Sequence, residues 1–274
     1  MLRNLLEDRV ALFCLAVIGL TVLAGLFAPY VAPHDPLAGN IMYKFKSMSW
    51  DYPLGTDQQG RCVFSRLIYG IKPTILLSLV TMASTITLGA AYGIVSGSAG
   101  GMVDEALMRF CDVMLSFPSQ VMILAVVGML GVGMENVVIA NILIKWAFYA
   151  RMIRGSVLGY RNRNYVVFSR TTGSGSWFIL SRHMLPAVLP EIVVLASLDT
   201  GWVILNISTL SFLGLGVQAP APEWGAMLNE ARQVIVAHPG QMLAPGLAVL
   251  TLVAAFNMLG DSLRDALEIK GSGR

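Results

Sequence analysis

The chain has 274 residues, 55% of them hydrophobic and only 13% charged, with a formal net charge of +3 and a mean hydropathy of +0.68. Soluble domains carry about 25% charged residues, so most of this surface does not face water and a soluble domain is excluded. The positive excess is too small, and its Lys and Arg too scattered, for a nucleic-acid footprint. Cys14, Cys62 and Cys111 are odd in number and lack metal-ligand spacing, which sets aside a disulfide framework and a zinc site.

About 20 apolar residues cross a hydrocarbon core as helix, and windows of that kind predict six spans. They cover residues 10–30, 73–103, 113–134, 136–150, 192–215 and 243–260, with Lys145 interrupting the fourth and Asp199 the fifth. The first window follows Arg3 and Arg9, as a signal peptide would. Its apolar run exceeds the roughly 7–15 residues of such a segment, and Glu7 and Asp8 break the basic flank, so it reads as a retained helix. Twelve Lys and Arg fall on the side of the N-terminus and six on the other. The positive-inside rule therefore predicts both termini in the cytoplasm.

Four parts follow: residues 1–31 with the first span, an outer loop 32–72, a five-helix core 73–260 and a tail 261–274. The loop opens on Pro33-His34-Asp35-Pro36 and carries Phe45, Trp50 and Tyr52, which predicts a folded cap. Gly89, Gly93, Gly97 and Gly101 recur every four residues in the second span, a spacing for close helix packing. Residues 101–117 place Val103, Leu107, Phe110 and Met114 at helical spacing, with Glu105 and Arg109 at i,i+4, as in a helix lying in the membrane interface. On the outer side, residues 224–236 predict a short amphipathic helix led by Trp224, read as an interfacial anchor.

The most informative stretch is 151–186. Arg151, Arg154, Arg161 and Arg163 carry the fourth helix out of the bilayer. The chain breaks at Gly173-Ser174-Gly175-Ser176, where two serines are candidate caps for a helix over 177–185 ended by Pro186. Trp177 and Phe178 then either dip back into the interface or plug a groove on a soluble partner.

Gly173, followed ten residues later by His183-Met184-Leu185-Pro186, resembles the second part of the cytoplasmic signature of bacterial ABC-importer permeases. Leu54-Gly55-Thr56-Asp57-Gln58-Gln59-Gly60-Arg61, Phe64-Ser65-Arg66-Leu67-Ile68-Tyr69-Gly70 and Asp104 with Met108-Arg109 and Asp112 narrow it. With Ser211-Phe212-Leu213-Gly214-Leu215-Gly216-Val217-Gln218 and Trp224-Gly225-Ala226-Met227-Leu228, the chain is similar to the dipeptide/oligopeptide/nickel family, C-type permease subunit, from residue 29 onward. Two departures stand out: the family's Glu-Ala-Ala falls on Val167-Phe168-Ser169, and an Asp that often follows Gly-Arg is Cys62.

The resemblance implies an all-α integral membrane protein of the type I importer-permease fold in a bacterial inner membrane. It implies a sister permease, two ATPase subunits that bind ATP and Mg, and an extracytoplasmic solute-binding protein. Ser169, Arg170, Gly173, Trp177, Phe178, Arg182, His183, Leu185 and Pro186 become the expected ATPase-coupling segment. Gly55, Thr56, Asp57, Gly60, Arg61, Arg66 and Trp224 become the expected outer motif that meets the binding protein or gates the path. The chain itself is non-catalytic and holds no cofactor: it lacks Gly-x-x-x-x-Gly-Lys-[Ser/Thr] and any nucleophile–base pair.

Asp199 inside a span points to function, and an ion pair with Lys145 is placed ahead of direct solute contact. No metal site is expected: His183 belongs to the cytoplasmic motif, and His34 and His238 lack local partners. The missing Glu and the stretch 196–201 lean toward nickel or a metal chelate over short peptides. An ion-driven secondary transporter would show internal repeats and more intramembrane carboxylates, and a membrane enzyme a convergent catalytic set.

Overall fold

A computed structural model describes the backbone of residues 8–271 and the side chains to residue 267. Arg3, Lys270 and Arg274, which entered the orientation count, lie outside the described side chains. Among the described residues there is no β-strand. The main helices are α1 Arg9–Leu26, α2 Val63–Ala99, α3 Gly101–Leu115, α4 Ser119–Leu130 and α5 Met134–Arg161. They continue with α6 Asn164–Thr171, α7 Ser176–Phe212, α8 Trp224–Arg232 and α9 Gly240–Gly271.

Five of these, α1, α2, α5, α7 and α9, are long and apolar enough to cross a membrane. A sixth crossing results if α3 and α4, bent by 79° at their junction, form one broken span. The apolar window over 113–134 divides between the end of α3, the expected interfacial helix, and α4. Pro118 has no N–H to continue α3 and becomes the N-cap of α4. The 12 residues of α4 rise only about 18 Å.

The second span is corrected at its start. Helix α2 starts at Val63, so the outer loop closes at Cys62, and Pro73 is carried inside the helix. Its 37 residues rise about 55 Å, enough to cross the bilayer and still climb into the cap. Gly89, Gly93 and Gly97 pack this helix onto α5. A Cβ on them would lie 2.6 Å from Tyr149 Cβ, 2.4 Å from the Ala150 carbonyl and 2.6 Å from Val157 Cγ1. Gly101 takes no part in that seam: the break after α2 falls at Gly100 and Gly101, both at positive φ.

Asp104 on α3 receives a two-point salt bridge from Arg154 on α5, at 2.6 Å for both nitrogens, and a hydrogen bond from the Ser96 hydroxyl. Asp112 pairs with Arg151, so α3 is fastened to α5 at two points. Glu105 and Arg109 form only an exposed pair at 3.6 Å. Helices α7 and α9 meet where Gly201 faces Asn257 and Gly260 faces Leu198. Two large apolar clusters fill the bundle, one among α2, α4, α5 and α7, the other among α2, α7, α8 and α9.

Candidate functional site

Two ends of the bundle carry the residues singled out above. At one end, α5 runs on to Arg161 and is followed by α6 and a tight turn into α7. The turn is a Schellman motif: the Gly173 N–H donates to the Arg170 carbonyl and the Ser174 N–H to the Ser169 carbonyl, both at 3.0 Å. Gly173 sits at φ +82°, where a side chain is strained although there is open space around it. The cap of the following helix is Gly175, not a serine, and it makes no side-chain bond.

The helix that starts at Ser176 does not end at Pro186. It widens into a π-turn over Leu180–Met184, and Pro186 falls in the first turn of the α-helix that resumes at Leu185. The wider turn accommodates a proline ring that would otherwise strike the preceding carbonyls. Trp177, Phe178 and the fifth span thus share one continuous rod of 37 residues. The end of that rod is held to α6 by His183 Nε2 and the Ser169 hydroxyl, 3.1 Å apart. The His183 ring packs edge-on to Phe178 at 5.6 Å.

Outside these contacts the surface is open. Trp177 is 78% exposed, and Phe178, Phe168, Val167 and Tyr165 are exposed beside it. Arg170 and Arg182 are exposed as well, with no ion-pair partner among the described residues. Val167, at the place of the family's Glu, joins the apolar patch instead of adding a charge.

At the opposite end the arrangement is reversed. Thr56 and Cys62 bridge the two arms of a tight loop closed by Gly55 and Gly60, both at φ +72°. The Thr56 hydroxyl donates to the Tyr43 carbonyl and accepts the Lys46 N–H at 2.8 Å. Asp57 Oδ1 accepts the N–H groups of Gln59 and Arg61 at 2.8 and 2.9 Å. Its other oxygen takes Arg61 Nε at 2.7 Å and Arg66 Nη1 at 3.2 Å. Both guanidiniums continue to Glu230 on α8, at 2.5 and 3.1 Å. Arg61 and Arg66 are each 1% exposed, so two buried cations meet the buried Asp57 and the partly exposed Glu230.

Trp224 is buried too, which corrects its reading as an interfacial anchor. Its indole N–H donates to the Leu67 carbonyl at 2.9 Å, and its ring covers Gly70, where a Cβ would meet Cδ1 at 3.0 Å. Before it, Glu223 caps α8, accepting the Gly225 and Ala226 N–H groups at 2.9 and 2.8 Å. Burial pushes the Glu223 carboxyl up from its ordinary pKa, and those N–H bonds oppose the push. The outer-motif residues therefore hold the cap to α2 and α8. The exposed rim is formed by Ile41, Met42, Met48 and Trp50.

Between the two ends, Asp199 on α7 lies near Tyr149 and Lys145 of α5, but among the described residues no Asp199–Lys145 salt bridge closes, so the expected direct ion pair is not formed. Lys145 Nζ lies 3.3 Å from the centre of the Trp202 ring. His34 stacks on Tyr52 and His238 on Phe45, at 4.5 and 3.7 Å between ring centres. Among the described residues no three His, Cys, Asp or Glu gather as a metal site. Glu230 and Glu223 are not singled out by the sequence, and Asp104 and Arg154 are each named there without being paired. Glu230 had one local signal, an acid on the polar face of the predicted helix 224–236.

A multi-pass helical bundle with an exposed hook at one end and a self-closed cap at the other has the form of a membrane permease. The profile of the family described as binding-protein-dependent transport system inner membrane component matches residues 89–270. That of the N-terminal transmembrane domain of oligopeptide transport permease C matches residues 1–47. The chain belongs to this family: it is a multi-pass inner-membrane permease of the peptide/nickel ABC-importer group, with the type I permease fold.

It is 43% identical over 273 residues to the metal-staphylopine import system permease protein CntC of Staphylococcus aureus, covering all of this chain and 94% of that one. It is 42% identical over 254 residues to the nickel transport system permease protein NikC of Escherichia coli, covering 93% and 92%. It is 33% identical over 268 residues to the dipeptide transport system permease protein DppC of Alkalihalophilus pseudofirmus, covering 98% and 88%.

Proposed function

We propose that this chain forms half of the path of an ATP-driven importer whose cargo is nickel or a metal chelate. A sister permease supplies the other half, two ATPase subunits carry ATP and Mg, and an extracytoplasmic binding protein delivers the cargo. The observation that carries this reading is the continuous rod α7, which leads from exposed Trp177 and Phe178 into the membrane without a break. A displacement of the hook by a closing ATPase pair is passed into the span, because hook and span belong to one helix with no loop between them.

In this mechanism the hook end faces the cytoplasm, as the arginines on α5, α6 and α7 predict. Trp177 and Phe178 supply the apolar grip and Arg170 and Arg182 the charged rim. Ser169 and His183 keep the hook folded against α6, Gly173 makes the turn, and Leu185 and Pro186 lead into the span. Val167 keeps docking apolar at the place where the resemblance implies a Glu. At the other end, Gly55, Thr56, Asp57, Gly60, Arg61, Arg66 and Trp224 position the cap, and its exposed rim meets the binding protein. Asp199 and Lys145 lie where α7 moves past α5 and bias that motion through their charges.

The metal-chelate reading is supported by identity to the nickel and metal-staphylopine permeases; the dipeptide relatives and the oligopeptide-type N-terminus support peptides as the second reading. Uptake of radiolabelled nickel in cells lacking the gene separates them, run with and without competing di- and oligopeptides. Loss of nickel uptake without peptide competition is the expected result. Unchanged nickel uptake together with lost peptide uptake overturns the cargo and leaves the importer reading standing.

A further inference from the structure

Beyond Asp199 and Lys145, the seam between α5 and α7 holds further polar groups to which the proposed function gives no role. Lys145 meets Trp202 and Tyr149 meets Asp199, so the two helices run antiparallel in a register that brings Asn141 level with Asn206. Gly89 against Tyr149 and Gly97 against Val157 set the parallel register of α2 and α5, which brings Thr81 level with Asn141. Three polar side chains from three helices therefore share one level, one turn beyond Lys145 toward the cap.

All three are buried, at 1% exposure for Thr81 and Asn141 and 4% for Asn206. The Asn141 amide nitrogen donates to the Val137 carbonyl at 2.8 Å. The Asn141 amide oxygen, both polar atoms of the Asn206 amide and the Thr81 hydroxyl have no hydrogen-bond partner among the described residues. Nor does the hydroxyl of Ser208, two residues further along α7. A polar atom left unpaired in a buried site is costly, and lipid offers none of them an alternative.

We infer that this junction is an internal water site. At this level the unpaired set contains an amide donor, two amide oxygens and one hydroxyl, since Ser208 turns toward Gly225 of α8. A cation would be served by the oxygens but opposed by the Asn206 N–H donors, whereas water both donates and accepts. Buried waters make about three hydrogen bonds to groups of this kind, and these residues supply that number at one level. The site separates the dry, glycine-packed α2–α5 seam from the helix that carries the hook.

Radiolytic footprinting of the assembled importer in lipid discs tests the inference, because hydroxyl radicals made from internal water oxidise the side chains next to it. Met82 and Met184 form a matched pair, 3% and 2% exposed. Met82 adjoins the level of Thr81 and lies 3.7 Å from the Tyr149 hydroxyl, whereas Met184 sits in the π-turn of the hook. Oxidation of Met82 several-fold faster than that of Met184 is expected, and Asn206→Leu should remove the excess. Equal, slow oxidation of both methionines in the unmodified protein overturns the inference, a result that does not depend on whether any variant folds. An excess at Met82 that survives in a folded Asn206→Leu protein overturns the assignment of the water to this junction.

Discussion

The cap and the hook lie at opposite ends of the same bundle and treat their polar and aromatic residues in opposite ways. In the cap, Arg61 and Arg66 find Asp57 and Glu230, Trp224 finds the Leu67 carbonyl, and Glu223 finds the first turn of α8. In the hook, Trp177 is largely exposed and Phe178 half-exposed beside His183, and Arg170 and Arg182 lack ionic partners among the described residues. Burying two cations with two anions is stabilising only while the set is complete. An exposed aromatic pair with basic neighbours is instead costly to leave bare, and becomes favourable once a partner covers it. The cap finds most of its partners within the chain, although Arg61 Nη1 and His34 Nδ1 remain unpaired among the described residues, and the hook is built to be completed from outside.

That contrast breaks most sharply at Glu230. Glu230→Ala leaves Arg61 and Arg66 buried with one carboxylate between them, which should cost about 3–5 kcal/mol. A clear fall in the melting temperature of the detergent-purified chain is expected, and an unchanged melt would show the cap to be looser than described. At the hook, Trp177→Ala combined with Phe178→Ala should lower uptake by about tenfold or more, as loss of interface anchors does. Its melting temperature should stay at the wild-type value. If uptake survives, or if the chain unfolds earlier, the assignment of these rings to docking fails.

Between the ends, Asp199→Asn should reduce uptake less than the hook variant does, at normal accumulation in the membrane. Full uptake at normal accumulation would remove the charge from the mechanism. The smallest effect is expected at Cys62, the N-cap of α2, which makes no side-chain bond to the helix. Cys62→Ser supplies an acceptor of similar size and should add about 1 kcal/mol. A melting temperature that stays level or falls would argue against an unsatisfied cap there.

Much of the fold is legible in the residue order. Six apolar windows, the glycine row on α2, the paired charges of 101–117 and the basic run after the fourth span are local patterns, read one segment at a time. The hook is legible in part: Gly173 and the aromatic pair are visible, but the end drawn at Pro186 is not where the helix ends. A proline forbids an ordinary turn at that place, and only the path of the backbone shows that a π-turn absorbs it. The early start of α2 escaped for a related reason, since hydropathy counts apolar residues without regard to direction.

The outer motif shows the limit most clearly. Asp57, Arg61 and Arg66 are legible as a set of charges near one another, and the resemblance implies contact with another protein for them. Their fourth member, Glu230, lies 169 positions after Arg61 and is joined to it only because α8 folds back over the start of α2. Trp224, with the same local signature as an interfacial anchor, is covered for the same reason.

The sequence by itself determined that this chain lives in a membrane, roughly where it crosses, and to which family it belongs. Those properties depend on apolar length and on motif order, which are set along the chain. Only the tertiary structure decided which charges are buried as a closed set, which aromatics remain uncovered, and that the hook and the fifth span are one rod. Those depend on which segments the folded backbone brings to the same place, and a charge or a ring carries no local mark of the partner it will meet.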